Sequence, residues 1–523
     1  MMRTLLGFRN LRCALSAVTV AALALSAGVA SARAQGAAAA PPQTGPAPQG
    51  QVLRLSMDAA VDMAMQANLG LQADRLNLDA ADRRITQARA AFLPFAGLNL
   101  QRINSQSQPV ANPDGTQSVS STIRFTGGTQ VQQQLPWYGT SYSVSWSGTR
   151  RSTSGRATFN PQLDSFVSLN FSQPLWQGFR IDGQRANLET SQRNRVIADL
   201  QLEQQIVLLD WQVRFAYLNL ISAIEQNKVA NENMRLAEES LRQARARVEV
   251  GVAPEIDIIE NEAQVESQRV NQIATEAAIQ DSKDALRRLI LDPNRPDYWA
   301  VNLEPTDTIT LTEPQVDVEA AIATALANRL DLLQQRRNIE ILDLNVRAVD
   351  DSTKPSVDLN LSLQASAFGG TQFLTPEETT RISFGSVLGD TFGFAFPTWT
   401  VGFSVGVPIG QTSAKAQLAQ QRIAQRQQAL ALREAELTVV EQVRGAAREV
   451  DNSYRRVRAV QASRTAMERQ LEAQQRRFDV GLSTTFELQQ RQLQLFTARS
   501  QEVNAMIAYH RALINFARVQ KIN

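Results

Sequence analysis

Cysteine is almost missing from this 523-residue chain, and the one example, Cys13, lies in a stretch that reads as an export signal. Residues 1–34 begin basic (Arg3, Arg9, Arg12), turn apolar from Ala14 to Ala30 and place Ala32 and Ala34 before Gln35, as in a secretory signal with an A-x-A cleavage site. No small-residue lipobox precedes Cys13, so a lipoprotein is not expected. A mature chain without cysteine excludes disulfides and thiolate metal sites. Histidine is as scarce: His510 stands alone, with no G-x-S-x-G elbow and no phosphate-binding loop, so hydrolase and nucleotidase chemistry lacks its parts. His510 is expected to be a packed or surface residue, and no enzyme activity, cofactor or metal is expected. An excess of one charge is absent too. Without the four arginines of the signal, 49 Lys and Arg face 51 Asp and Glu, which leaves no basic field for nucleic acid. The apolar stretch of the signal is short of the roughly 20 residues a membrane-spanning helix needs, and the chain offers no other candidate span.

Proline is missing from two long tracts. Pro174 is followed by 79 residues without proline before Pro254, and none occurs in the 115 residues after Pro408. Both tracts are rich in Ala, Gln, Arg, Glu and Leu, good helix formers. Helices over about 180–249 and about 411–479, roughly 70 residues each, reach about 105 Å at 1.5 Å per residue, beyond the need of any ordinary globular core. Along the first, Ile206, Val213, Leu220, Asn227, Met234, Leu241 and Val248 recur every seventh residue, with Leu209, Ala216, Ala223, Ala230, Ala237 and Ala244 between them, a coiled-coil seam with close helix approach. The second repeats it through Val439, Val443, Ala446, Val450, Val457, Val460, Met467, Leu471 and Phe478, with breaks expected at Ser453, Arg464 and Gln474. Each long helix stops at a glycine, Gly251 or Gly481, as a C-terminal cap requires. Pro254 and Ser483-Thr484-Thr485 then supply the start of a return helix.

The chain also says nearly the same thing twice. Met57-Asp58-Ala59-Ala60-Val61 returns 261 places on as Val318-Glu319-Ala320-Ala321-Ile322, and Leu98-Asn99-Leu100 as Leu359-Asn360-Leu361. Arg247-Val248-Glu249-Val250-Gly251 returns at offset 230 as Arg477-Phe478-Asp479-Val480-Gly481, so the first copy carries about thirty extra residues between these anchors. The organisation read from this is a signal (1–34), a disordered leader rich in Ala, Pro, Gln and Gly (35–52), a first repeat (53–300), a linker (301–316) and a second repeat (317–523). Helices at about 56–91 and 317–352 open the repeats.

Between opening and long helix the hydrophobic period changes to 2. Leu98 and Leu100 alternate with Asn99 and Gln101; Tyr142, Val144 and Trp146 with serines; Val167, Leu169 and Phe171 with Ser168, Asn170 and Ser172. The second copy answers with Val357, Leu359, Leu361 and Leu363, and with Trp399, Val401, Phe403 and Val405. Such two-faced strands, with Trp137, Trp176 and Trp399 near several ends, suit an outer-membrane β-barrel with lipid outside and water inside. They are too few to close alone, since small barrels need about eight. Closure is expected from several copies.

The order and duplication of these elements resemble the TolC-like outer-membrane efflux proteins over about residues 53–520. The local marks are Ser172-Gln173-Pro174-Leu175 and Val407-Pro408-Ile409 where strand passes into helix, and the two Arg-x-x-Val-Gly turns. The resemblance implies an α+β membrane protein whose duplicated repeat builds a long antiparallel α-helical coiled-coil tunnel and lends β-hairpins to a shared trimeric transmembrane β-barrel. It implies a homotrimer in outer-membrane lipid with four strands per protomer, twelve in all. Its periplasmic helices are closed at the far end by the hairpins, and a periplasmic adaptor and an inner-membrane transporter are its partners. As the channel of a tripartite efflux or type I secretion system it makes and breaks no bond. Two departures stand out: an extra alternating segment, about 129–150, which either adds strands to the barrel or folds above or below it, and a long loop, about 368–396.

The family keeps acidic residues just after the glycine turns, where three copies ring the periplasmic aperture. Asp257, Glu260 and Glu487 hold three of the four positions and Gln490 the fourth. Asp257 and Glu260, at i and i+3, share a helix face. Such a ring favours cations; the other reading is that these acids complement the helix dipole. Two rival readings are a periplasmic structural or adaptor coiled-coil protein, which does not explain the strands, and a monomeric barrel enzyme or receptor, which needs many more of them.

Overall fold

The computed structural model describes residues 52–522 except 109, 112–116, 155–156, 374–378, 408 and 411. The expected signal and leader lie outside the described residues, apart from Val52. That residue opens β1 (Val52–Leu55), which leads into α1 (Met57–Ala67) and α2 (Leu69–Ala90). β2 (Phe95–Gln106), the short β3 (Val110–Ala111) and β4 (Gln117–Ser118), β5 (Ser121–Gln134), β6 (Ser141–Thr153) and β7 (Phe159–Pro174) follow. The long α3 (Gly183–Glu249) then folds back as α4 (Ile256–Ile290) and reaches β8 (Asn302–Pro305). A second round runs α5 (Val318–Asn328), α6 (Leu330–Ser352), β9 (Ser356–Phe373), β10 (Thr379–Ile382), α7 (Phe384–Phe392), β11 (Pro397–Gly406), α8 (Thr412–Asp479) and α9 (Thr485–Val519).

The long helices span 67 and 68 residues, close to the expected bounds. Along α3 the alanine seam is buried throughout, and Val213 and Leu220 are fully enclosed. On α8, Val439, Val443, Val450 and Val457 are buried likewise. The three residues at which breaks are expected have polar partners. Buried Ser453 turns its hydroxyl back to the Val450 carbonyl, Arg464 pairs with Glu468 and Glu502, and Gln474 reaches the Ser483 hydroxyl.

Each opening helix is broken once, against the expectation of unbroken helices over 56–91 and 317–352. The breaks fall at Asn68 and Arg329, 261 residues apart. Asn68 caps α2 by accepting the Leu71 N–H at 3.1 Å and donates from Nδ2 to the Leu289 carbonyl at the end of α4 (3.3 Å). Arg329, 1 % exposed, spans Asp331 (2.6 Å), Gln442 (2.7 Å) and the Val519 carbonyl at the end of α9 (3.5 Å). Leu289 and Val519 are themselves 230 apart. Each repeat therefore breaks its opening helix to satisfy the terminal carbonyls of its return helix, which have no partner within that helix.

The stretch 301–316 does more than link the repeats, because β8 pairs in parallel with β1. Around that pair the main core gathers Leu55, Val213, Tyr217, Leu218, Leu220, Leu286, Ile290, Val301 and Leu303. The Tyr217 hydroxyl donates to the Leu55 carbonyl at 2.8 Å, and desolvation pushes its pKa up to about 12, so it stays protonated. His510 is packed as expected: its Nε2 lies 3.1 Å from the Thr310 carbonyl, and burial lowers its pKa, so the ring is neutral at neutral pH.

Seven of the strands form one antiparallel sheet in the order β2-β5-β6-β7-β9, with β11 and β10 end to end along the outer edge of β9, while β3 and β4 pair only with each other. The resemblance implied four strands per protomer. Among the described residues the sheet has six columns, because the segment 129–150 belongs to β5 and β6, inserted in full register between β2 and β7. The expected loop 368–396 also holds structure: the end of β9, β10 and α7, which lays Val387 on Gly369 across the apolar face. Cross-strand rows keep the faces distinct. Val131, Val144, Leu169 and Leu363 lie in one row and Trp146, Val167 and Ala365 in another. Ser145 bonds Ser168 (2.8 Å), and Ser172 donates to Asn360 (2.9 Å), on the opposite face. Trp137 and Trp176 mark the helix-proximal end; Trp399 is the third residue of β11, opposite Leu363.

Replacing Arg329 by Met leaves the carboxylate of Asp331 and the amide of Gln442 without their shared donor. A loss of about 2–3 kcal/mol is expected, read as a fall in the chemical denaturation midpoint of the helical signal; an unchanged midpoint contradicts the assigned role.

Candidate functional site at the hairpin tips

At the α3–α4 and α8–α9 turns the chain reverses through the same hydrogen bonds twice. Gly251 (φ +75°) donates to the Val248 carbonyl and Val252 to the Arg247 carbonyl; Gly481 (φ +76°) donates to Phe478 and Leu482 to Arg477. This is a Schellman cap, and its left-handed residue is why both repeats keep glycine there. Pro254 stands one residue before the cap of α4, Glu255, rather than in its first turn, and accepts the Asp257 N–H at 3.1 Å. α9 starts on the Thr484 hydroxyl, which accepts the Glu487 N–H (3.3 Å).

The three acids occupy different situations. Asp257 is half-buried and accepts a bond from Thr485 Oγ1 at 3.1 Å, tying the first tip to the second. Glu260 is exposed, and among the described residues no hydrogen bond or ion pair holds it. Glu487 is exposed but engaged: Ser483 Oγ donates at 2.7 Å and Gln474 Nε2 at 3.1 Å, and its carboxylate reaches back to the Thr484 backbone. With Thr484 it completes a capping box. The Ser483 bond first, then the backbone bond, hold its pKa below the ordinary 4.5. At the other end of the helices, Pro174 is the last residue of β7, opposite Asp358, and α3 begins at Gly183; Pro408 lies outside the described residues.

Two features went unread in the sequence. The Arg247 guanidinium lies 3.9 Å from the centroid of the Phe478 ring, a cation–π contact that joins the ends of α3 and α8. Beside it, Gln489 donates to Asn261 at 3.2 Å. The turns also present apolar side chains to solvent: Val250, Val252, Val480 and Leu482 are each about 70–80 % exposed, with Ile256, Ile259 and Phe486 behind them. A duplicated apolar–Gly–apolar triplet in a turn that buries neither apolar residue was the available signal. Contiguous apolar surface of this kind marks interaction sites. Among the described residues no group of three His, Cys, Asp or Glu side chains is placed to hold a metal ion.

The model of the outer membrane efflux protein family matches residues 128–290 and 321–519. Outer membrane protein TolC of Escherichia coli strain K12 is 21 % identical over 451 residues, 85 % of this chain and 78 % of that protein. TolC of Vibrio cholerae serotype O1 is 23 % identical over 346 residues, 66 % and 73 % of the two chains. Among solved structures, the Campylobacter jejuni CmeC outer membrane channel superposes with a TM-score of 0.63 at 16 % identity, over 89 % of this chain and 85 % of that one.

Because its folded pKa is depressed, Glu487 stabilises the start of α9 fully above pH 4.5, and that contribution is lost as the pH falls through the lowered value. Glu487→Gln is expected to lower the hydrogen-exchange protection factors of residues 485–488 several-fold at neutral pH and to flatten their fall towards pH 3. Equal exchange in both proteins contradicts the capping role.

Proposed function

We propose, from the premise that this chain belongs to the outer membrane efflux protein family, that it is a passive conduit from periplasm to exterior. The sheet carries the reading. It shows an exposed apolar face (Leu98, Leu100, Trp399, Val401, Phe403 and Val405 are all more than half exposed), and β2 at one edge and β11 at the other each have one strand neighbour. An open edge cannot stand in hydrocarbon, where every backbone group needs a partner. Pairing β2 of one copy with β11 of the next closes the wall, and three copies give a homotrimer in outer-membrane lipid. β2, β7, β9 and β11 are each the neighbour in sequence of one of α2, α3, α6 and α8, and on this reading the wall continues as a periplasmic tunnel of paired helices. A periplasmic rod built from coiled coil alone has no use for a two-faced sheet.

At the far end, the exposed valines and leucines of both turns suit a periplasmic adaptor, and an inner-membrane transporter supplies the energy, as in tripartite efflux or type I secretion. Asp257, Glu260 and Glu487 from three copies form the acidic aperture. Detergent-extracted protein that is trimeric and conducts in planar bilayers supports the reading; a monomer that stays in solution without detergent overturns it.

The aperture is tested by Asp257→Asn, Glu260→Gln and Glu487→Gln together, which are expected to weaken cation selectivity. Unchanged reversal potentials in a salt gradient leave these acids with structural duties only.

A further inference from the structure

The extra hairpin is part of the wall. β5 pairs with β2 without interruption from Phe95 opposite Gln132 to Gln106 opposite Ser121. β6 pairs with β5 from Thr122–Thr153 to Gln134–Ser141, and with β7 from Ser141–Ser172 to Arg151–Gln162. Both faces continue across it: Ile123, Phe125, Val131, Val144 and Trp146 extend the apolar side, and Gln130, Gln132, Ser143, Ser145 and Ser147 the polar one. A flap lying above or below the membrane has no need of an apolar face in register with its neighbours.

The hairpin differs from the other four strands at the helix-proximal end. β2 follows α2, β7 leads to α3, β9 follows α6 and β11 leads to α8. β5 and β6 meet only each other, through the turn 135–140, in which Leu135 donates to the Thr140 carbonyl at 2.7 Å. That turn is fastened to the strand–helix passage beside it. Gln173 Nε2 donates to the Tyr138 carbonyl at 2.9 Å, the Tyr138 ring stacks on Phe179 at 4.9 Å, and a Cβ on Gly139 (φ +68°) would meet the Gly178 carbonyl oxygen at 2.6 Å. With no helix beneath it, the hairpin leaves a cavity of about 670 Å³ where Ala90, Leu93, Gln133, Tyr142, Asn170 and Asn360 meet. Two strands have been added to the sheet and none to the helices.

We infer that the membrane end of this channel is a barrel of eighteen strands, six from each protomer, and that it opens outward from the helical tunnel as a funnel. The inference rests on the trimeric reading above. With strands about 4.8 Å apart and tilted about 40°, eighteen strands make a backbone cylinder roughly 36 Å across, against roughly 24 Å for twelve. The inward face offers neutral groups, among them Gln130, Ser145, Ser168, Asn170, Asn360, Ser362 and Gln364, together with charges of both signs, Arg124, Arg151, Asp164 and Asp358. Such an exit discriminates little by girth among solutes that have passed the helical tips. Selection therefore falls to the tips, and the barrel suits bulky hydrophilic cargo.

The test is a reconstruction of the detergent-extracted full-length particle by electron cryomicroscopy, with polymer exclusion measured from the external side in planar bilayers. Eighteen strands, and an external limit near that of wide porins, are expected. A trimeric pore with a twelve-stranded wall and the 121–153 hairpin lying off it overturns the inference while leaving the channel reading intact. A particle that is neither trimeric nor conducting overturns both. Removing residues 121–153, so that β2 is followed by β7, is expected to lower the diameter of the largest polymer admitted from outside about 1.5-fold; an unchanged limit in a conducting variant counts against the wide barrel.

Discussion

A sheet with one apolar face and two open edges cannot rest in either solvent a bacterium offers. Water rejects the face, and hydrocarbon rejects the unpaired N–H and C=O groups along β2 and β11, each of which costs several kcal/mol there. On the proposed reading, closure by identical copies removes both penalties at once, because the rim of one protomer is the missing neighbour of the next.

Duplication supplies the rest economically. Each repeat contributes a helix that must break, strands, and a long helix that must turn back. The break at Asn68 or Arg329 satisfies the carbonyl end of a return helix, and the turn at Gly251 or Gly481 satisfies the end of a long one. The alanine seam lets α3 approach its neighbours closely, and where the seam of α8 is interrupted at Arg464 that side chain pairs with Glu502 of α9. Where the repeats differ, the difference has a place: the thirty-odd extra residues of the first copy are the β5–β6 hairpin, which widens the sheet and leaves the helices unchanged in number.

The acids at the tips show how one side chain can serve two ends. Glu487 caps its own helix and still presents charge, since a carboxylate held below its ordinary pKa stays ionised. Asp257 is shared with Thr485 of the other hairpin. Glu260 is exposed and held by no described partner. Around them the exposed valines and leucines of the turns offer the kind of surface a partner protein covers.

Long proline-free tracts, seven-residue spacing and period-2 alternation were enough to read α3, α8, the glycine turns and the two-faced strands directly, because each is a local property of consecutive side chains. Pairing is not local. Nothing in residues 129–150 said which strands they join, and the apparent loop 368–396 hid α7, whose short apolar face has meaning only against Gly369 and its row. The helix breaks at Asn68 and Arg329 were unreadable for the same reason: their cause, the carbonyls of Leu289 and Val519, lies about 190–220 residues away in sequence. The chain by itself determined the elements and their duplication; the tertiary structure alone decided how many strands stand side by side and which polar groups meet. Hydrogen bonds between distant backbone segments depend on register and proximity, which no stretch of sequence carries on its own.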